Sequence, residues 1–400
     1  MNKLEHLGHR HSSHRRGHSA GGWISSLFGH AAGFVRKNPV LSIAALLAVI
    51  TSVIVPPDEK YIGYFDFRTL TCLFCTLAVI CALKEIRFFY VCAERIIALM
   101  KNLRLAAIAL VTITFIGSML IANDMALITF LPLGYLVLSC TGKEKYMAYI
   151  FILQNIAANL GGMLTPFGNP QNLYLYSTFA IGAGDFMRTM LPPFLLSVLI
   201  IMLCCLVLPA DPIAYKGEPS VMPKGKLVFY LALFALSILI VFRSIPYWIG
   251  LIVIPAALLF ADRKALAEVD YGLLLTFVCF FIFSGNMARI PQVSALMQSL
   301  VGHSPKLTLV CSALSCQAIS NVPSAILLSK FTENWRALLY GVNIGGCGTI
   351  ISSLASLITF RTFMSHHKGV KGAAGGYMKL FTLLNIAFLV LLLGLCLLLV

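Results

Sequence analysis

The sequence predicts an all-α polytopic membrane protein built as an inverted repeat, with re-entrant hairpins and discontinuous transmembrane helices. Three observations lead there. Apolar residues fill 59% of the 400 positions and charged residues 11%, with a mean hydropathy of +0.89, a balance far outside that of soluble domains. Apolar stretches of about 20 residues, the length that crosses a bilayer core as helix, recur through most of the chain, while the short alternating strands of an outer-membrane barrel do not occur. Some of these stretches are broken by glycine, proline and amides, as in LTPFGNPQNLYLY at 164–176.

Residues 1–38, which include HRHSSHRRGHS, carry too much charge and too little apolar area to fold, and are expected to form a disordered cytoplasmic arm. Loose metal binding by its histidines is the alternative. A cleaved signal peptide does not fit, because the polar segment is long and Asn38-Pro39 leads straight into a full span. Spans follow at 39–56, 67–84, 147–180, 190–209, 226–242, 246–261, 270–287, 337–360 and 377–399. Two regions differ. Residues 104–139 are too long for one span at about 1.5 Å per residue and carry Gly117, Asn123 and Asp124 in their middle. Residues 306–330 are too short for two spans and hold SNVPS at 320–324, where Pro323 cannot occupy an undistorted helix interior. Both read as re-entrant hairpins of two half-length helices, a backbone tolerated at membrane depth only where protein or a wet cavity covers it.

The formal charge of +15 comes from Lys and Arg at membrane boundaries and in the arm, with no basic and aromatic stripe, so the expected partners are anionic lipid headgroups and not nucleic acid. With the amino terminus inside, the basic groups at Lys84 to Arg104, Lys143 and Lys145, Lys216 to Lys226, Arg263 and Lys264, and Arg361 and Lys368 all fall on the cytoplasmic side, and Val400 falls outside. This orientation in a cytoplasmic (inner) membrane also makes 104–139 a hairpin that enters and leaves on one side. Most of the twelve cysteines lie in apolar segments and read as small buried side chains, and the Cys72-x-x-Cys75 spacing lacks a second pair for a metal. His366 and His367 sit in a basic loop with no catalytic constellation around them, so no enzyme is expected.

The repeat emerges from the same bookkeeping. Asp66 opens FDFRTLTCLFCTLAVICALKE and Asp270 opens VDYGLLLTFVCFFIFSGNM, two similar spans of opposite direction. IANDMALITFLP at 121–132 is echoed by AISNVPSAILLS at 318–329, and NLGGMLTPFGNPQN at 159–172 by NIGGCGTIISSLAS at 343–356. The halves, 39–209 with hairpin 104–139 and 210–400 with hairpin 306–330, each run span, hairpin, broken span. Inverted repeats with discontinuous helices are a transporter signature.

A helix broken inside the membrane leaves free N–H groups at one new end and free carbonyls at the other, the first suited to anions and the second to cations. Pro166 and Pro170 stop the helix, Gly168 allows close backbone approach, and Asn169, Gln171 and Asn172 offer neutral donors and acceptors. The candidate substrate-binding residues are therefore Asn123, Thr165, Gly168, Asn169, Pro170, Gln171, Asn172, Ser320, Asn321 and Thr349, at breaks that would converge on one site. Asn159 and Asn343 either join that site or hold helices together. Asp124 is the lone acid deep in its hairpin, matched by Val322 in the other half; a buried carboxylate there fits a coupling-ion ligand or a proton carrier. Asn123, Asn321, Ser352 and Ser353 are the other coupling-ion candidates, with sodium expected, if bound, among Asn123, Asp124 and Asn321. No other cofactor is expected.

ANDMALITFLP, GNPQN and SNVPSA resemble motifs of the ion transporter superfamily that includes arsenite permeases, bacterial citrate transporters, NhaD-type sodium/proton antiporters and divalent-anion/sodium symporters. The resemblance covers about residues 60–360. It implies a homodimer in which a transport domain moves against a scaffold, elevator fashion. In the symporter branch, hairpin tips carry Ser-Asn-Thr motifs that bind substrate carboxylate and enclose sodium. Here the tips are Ala122-Asn123-Asp124 and Ser320-Asn321-Val322: both asparagines carry over and both threonines do not. Gly168, Asn169, Pro170 and Asn172 carry over from the first loop, whereas the second keeps only the hydroxyls Ser352, Ser353 and Ser356. The expectation is secondary transport of a small anion, an organic di- or tricarboxylate, coupled to sodium or protons. The alternatives are sodium/proton antiport and export of an inorganic, arsenite-like oxyanion.

Overall fold

The computed structural model describes residues 38–215 and 222–400. The arm expected over residues 1–38 lies, apart from Asn38, outside these, as does Lys216. Eighteen α-helices and one isolated bridge, Asn102 to Pro212, account for the regular structure among the described residues, together with short 3-10 turns. Eight helices there are long and apolar enough to cross a membrane. The chain is a polytopic, all-α membrane protein.

Helix α1 (Pro39–Ile54) is followed by α2 (Phe67–Glu85), then by the short α3 (Phe88–Ile97). Next come α4 (Leu103–Ile121) and α5 (Asn123–Cys140), joined through Ala122 alone. The expected span at 147–180 is two helices, α6 (Met147–Gly161) and α7 (Pro170–Thr178), and α8 (Ala183–Leu206) completes this half. The second half holds α9 (Lys224–Val241), α10 (Tyr247–Ala261), α11 (Arg263–Ala267), α12 (Tyr271–Arg289) and α13 (Pro291–Val301). It continues with α14 (Pro305–Ile319), α15 (Asn321–Leu328), α16 (Trp335–Ile344), α17 (Leu354–His366) and α18 (Ala373–Leu399). Asp66 and Asp270, which open the matched spans, are both N-caps: their carboxylates accept the N–H groups of Thr69 and Leu273.

Two features differ from the sequence reading. The short helices α3, α11 and α13 had no counterpart among the expected spans. The helices of the first hairpin, of 19 and 18 residues, exceed half length. Gly117, in the middle of this region, lies inside α4, where the missing side chain admits the Phe130 ring of α5; Ala122 alone interrupts the helix, next to the expected break at Asn123-Asp124.

Burial sorts the helices into layers. In the most apolar 18-residue stretch of Glu144–Leu164, which contains α6, 83% of the residues are buried, against 22% in that of α18. Helix α8 turns Phe186, Met190, Ser197, Ile201 and Cys205 inward and exposes Leu195, Leu199 and Leu203 four residues apart, one stripe toward lipid. Because lipid is as apolar as leucine, the helices are held by close packing and by hydrogen bonds. Gln154 on α6 donates to Thr114 Oγ1 of α4 at 3.0 Å and to the Phe130 carbonyl of α5 at 3.3 Å, tying the hairpin to the centre. Gly161 lies against the Phe115 carbonyl and Ser118 Oγ. A Gly161→Ala methyl would fall on that carbonyl, which cannot swing away as a side chain would. The expected cost is about 1–3 kcal/mol, read as a lower melting temperature in detergent beside an unchanged Gly63→Ala control, where nothing lies within 4 Å.

Candidate functional site

The two hairpins turn alike. Ala122 has φ 66° and ψ 152°, and Ser320 has φ 72° and ψ 162°, a conformation uncommon for residues other than glycine. The next side chain then caps its own helix: Asn123 Oδ1 accepts the Asp124 N–H at 3.0 Å, and Asn321 Oδ1 accepts the Val322 N–H at 2.9 Å. The loops after α6 and α16 attach to the hairpins by matching bonds. Thr165 Oγ1 donates to the Met119 carbonyl at 2.8 Å, and Thr349 Oγ1 donates to the Gln317 carbonyl at 3.1 Å. Asn169 and Ser353 are the extended N-caps of α7 and α17.

An asparagine network joins these parts. Asn123 Nδ2 donates to Asn159 Oδ1 at 3.1 Å; Asn169 Nδ2 donates to the Asn159 carbonyl at 3.2 Å and lies 3.5 Å from Asn343 Oδ1. Asn343 Nδ2 donates to Asn172 Oδ1 at 2.7 Å, and Asn172 Nδ2 to the Gly162 carbonyl at 3.0 Å. The second tip reaches its own loop through the Asn321 N–H and Ser320 Oγ, which share the Ser352 carbonyl at 3.0 and 3.2 Å. Gly346 marks the junction, since a Cβ there would stand 3.3 Å from Asn321 Nδ2 and 3.6 Å from Asn159 Oδ1. Gly168 lets its loop press against the Gly162 carbonyl, and Pro170 takes the first position of α7.

Four helices, α5, α7, α15 and α17, begin at these turns and loops, and four others, α4, α6, α14 and α16, end there. Positive and negative helix ends therefore meet inside the protein. Several polar atoms remain without partners. Asn159 Nδ2, Asn169 Oδ1 and both polar atoms of the Gln171 side chain are buried and unbonded, although such groups are ordinarily satisfied. Asn159 and Asn343, whose role the sequence left open, bond directly to Asn123, Asn169 and Asn172.

Not every expected residue enters the network. Asp124 sits in the first turn of α5, its Oδ1 buried without a hydrogen-bond partner, and it forms no ion pair among the described residues. Ile128 and Pro132, one and two turns along α5, line a cavity of about 230 Å³ that also holds Lys84 and Arg87. Thr349 is exposed, its hydroxyl and N–H both engaged by Gln317. Ser353 Oγ caps α17 through the Ser356 N–H. Sequence reasoning missed Gln317, three residues before its tip, and Asn155, which donates to Ser356 Oγ at 3.3 Å. Isolated amides within apolar helices were the available signal. All twelve cysteines are free thiols, and no group of three or more His, Cys, Asp or Glu suited to a metal ion occurs among the described residues.

Comparison with known proteins agrees with this architecture. The citrate transporter family matches residues 29–334. An uncharacterized transporter of Methanocaldococcus jannaschii is 33% identical over 322 residues, covering 80% of this chain and 87% of that protein. The inner membrane protein YbiR of Escherichia coli is 28% identical over 339 residues, covering 82% and 88%. An uncharacterized transporter of Mycobacterium tuberculosis is 22% identical over 294 residues, covering 63% and 67%. The chain is a membrane transporter and belongs to the citrate transporter family.

Proposed function

We propose that this protein is a secondary active transporter of a small organic anion, a di- or tricarboxylate, driven by sodium or protons. The observation that carries the reading is the set of buried, unpaired amide atoms where four helices begin: Asn159 Nδ2 and Gln171 Nε2 among them are neutral donors which, with the positive helix ends, suit a carboxylate. Asn123, Asn169, Gln171, Asn172 and Asn321 would contact the anion, with Ser320 beside them, while Thr165, Gly168, Pro170 and Thr349 hold the loops. Asp124, Asn123, Asn321, Ser352 and Ser353 would serve the coupling ion, sodium if it is a metal.

The matched tips and loop bonds support reading the halves as inverted repeats whose re-entrant hairpins meet from opposite membrane faces. Exchange between two such halves gives alternating access; we take it to be an elevator motion within a homodimer. A cytoplasmic or inner membrane location with the amino terminus inside follows from the charge distribution, and YbiR is named as an inner membrane protein. The unpaired Asp124 favours sodium/proton antiport as the second reading, because a lone carboxylate is the group for which both ions compete.

Binding separates the two. Purified protein in detergent should gain thermal stability from a di- or tricarboxylate at millimolar concentration, and Asn321→Ala should lose that gain. Stabilisation by sodium alone, with no response to any carboxylate in a panel including citrate, would favour the antiporter.

A further inference from the structure

The two loops are alike in backbone but not in what fills them. At the second loop Gln317 Nε2 donates to three main-chain carbonyls: Ala313 at 3.0 Å, Gly345 at 2.9 Å and Cys347 at 3.1 Å. Two of these lie where α16 ends and have no further helix to bond to. The amide orientation is fixed from its other end, because Gln317 Oε1 accepts the Thr349 N–H at 2.8 Å. Gly348, at φ 125°, passes so close to Gln317 Oε1 that a Cβ there would strike it. The corresponding residue of the first hairpin is Met119, whose carbonyl receives Thr165 just as that of Gln317 receives Thr349. Met119 has no N–H to offer from its side chain.

An NH₂ group has two hydrogens, so three carbonyls around one nitrogen leave more acceptor than donor. Two carbonyls past a helix C-terminus with a third from the neighbouring helix are also oxygens of the kind that a small hard cation takes. We propose that the Gln317 amide is a built-in substitute for a cation: it occupies a carbonyl cage at the second loop that would otherwise bind a monovalent ion. Any coupling cation is thereby kept out of this cage and confined to the junction beside Asp124, which supplies a charge that Val322 does not, while Met119 offers no donor to compete with it there. The confinement rests on the transport reading above; the cage and its occupant do not.

The test counts cations bound by the purified protein, without transport or anion. Gln317→Met copies the first half and empties the cage, while Gln317→Glu places a carboxylate among the carbonyls that, when ionised, can only accept. Melting temperatures are taken from 1 to 300 mM sodium chloride, with choline chloride holding ionic strength. For each ion bound to the folded state alone, a tenfold rise in sodium above its dissociation constant multiplies the folded population about tenfold. Both variants should bind one sodium more than the parent. Gln317→Glu should be the less stable of the two in choline, and should recover either with sodium or below about pH 5, where protonation restores a donor. Gln317→Met with the parental sodium dependence would overturn the proposal, whether or not Gln317→Glu folds. Absence of anion uptake by the parent would leave that count unaffected and would bear on the transport reading instead.

Discussion

Proteoliposomes containing Asp124→Asn are expected to bind the anion yet fail to concentrate it. In the parent, with the membrane potential clamped at zero, a hundredfold gradient of one coupled cation sustains at most about a hundredfold anion gradient, or about 2.7 kcal/mol. The variant should level off near equality. The expectation rests on the chemistry of a buried carboxylate oxygen with neither donor nor cation beside it, a costly arrangement unless an ion or proton arrives to complete it. Asparagine keeps the side-chain shape and adds a donor, so the first turn of α5, which is capped by Asn123 and not by Asp124, should survive. Two readouts are needed: accumulation under a sodium gradient alone and under a proton gradient alone. Equal accumulation by both proteins in both conditions would remove Asp124 from coupling.

Asn321→Ala should weaken anion binding by about 10- to 100-fold, the effect of one hydrogen bond to a charged group at about 1.5–3 kcal/mol. Asn321 caps its helix with Oδ1, which leaves Nδ2 without an acceptor among the described residues and facing the junction at Gly346. Loss of the cap alone costs about 1 kcal/mol of stability, and the main-chain bond from the Asn321 N–H to Ser352 remains. Asn321→Asp separates the two roles: it keeps the cap, removes the donor and adds a repelling charge, so it should melt near the parent temperature and bind the anion worse than the alanine variant. Parental affinity in both variants would take Asn321 out of the site.

The spans were legible because bilayer thickness imposes a length on apolar runs, and the breaks because proline and glycine cannot hide inside them. Thus α1, α2, α10 and α12 begin or end within a few residues of the expected limits, and the loop from Thr165 to Asn169 parts α6 from α7 where Pro166 and Gly168 demand it. The first break falls at Ala122, beside the Asn123-Asp124 pair that marked it in the sequence, while Gly117 stays helical, packed against Phe130. Short amphipathic helices such as α3 and α13 carry no length signal. The site was visible as residue types but not as a network: nothing in the spacing announces that Asn123 bonds to Asn159 or that Asn169 lies against Asn343, because contacts across 36 and 174 residues of sequence separation are set by tertiary packing. Gln317 was hidden for the same reason, its three acceptors lying partly on another helix.

The most direct measurement is uptake of labelled anions by reconstituted parent protein, with sodium and proton gradients imposed separately at clamped potential. The account predicts saturable accumulation of at least one di- or tricarboxylate above its equilibrium level under one of the two gradients, collapsing when that gradient is dissipated and absent in Asn321→Ala. Sodium-driven proton movement in the same vesicles, with no carboxylate accumulated under either gradient, would contradict it.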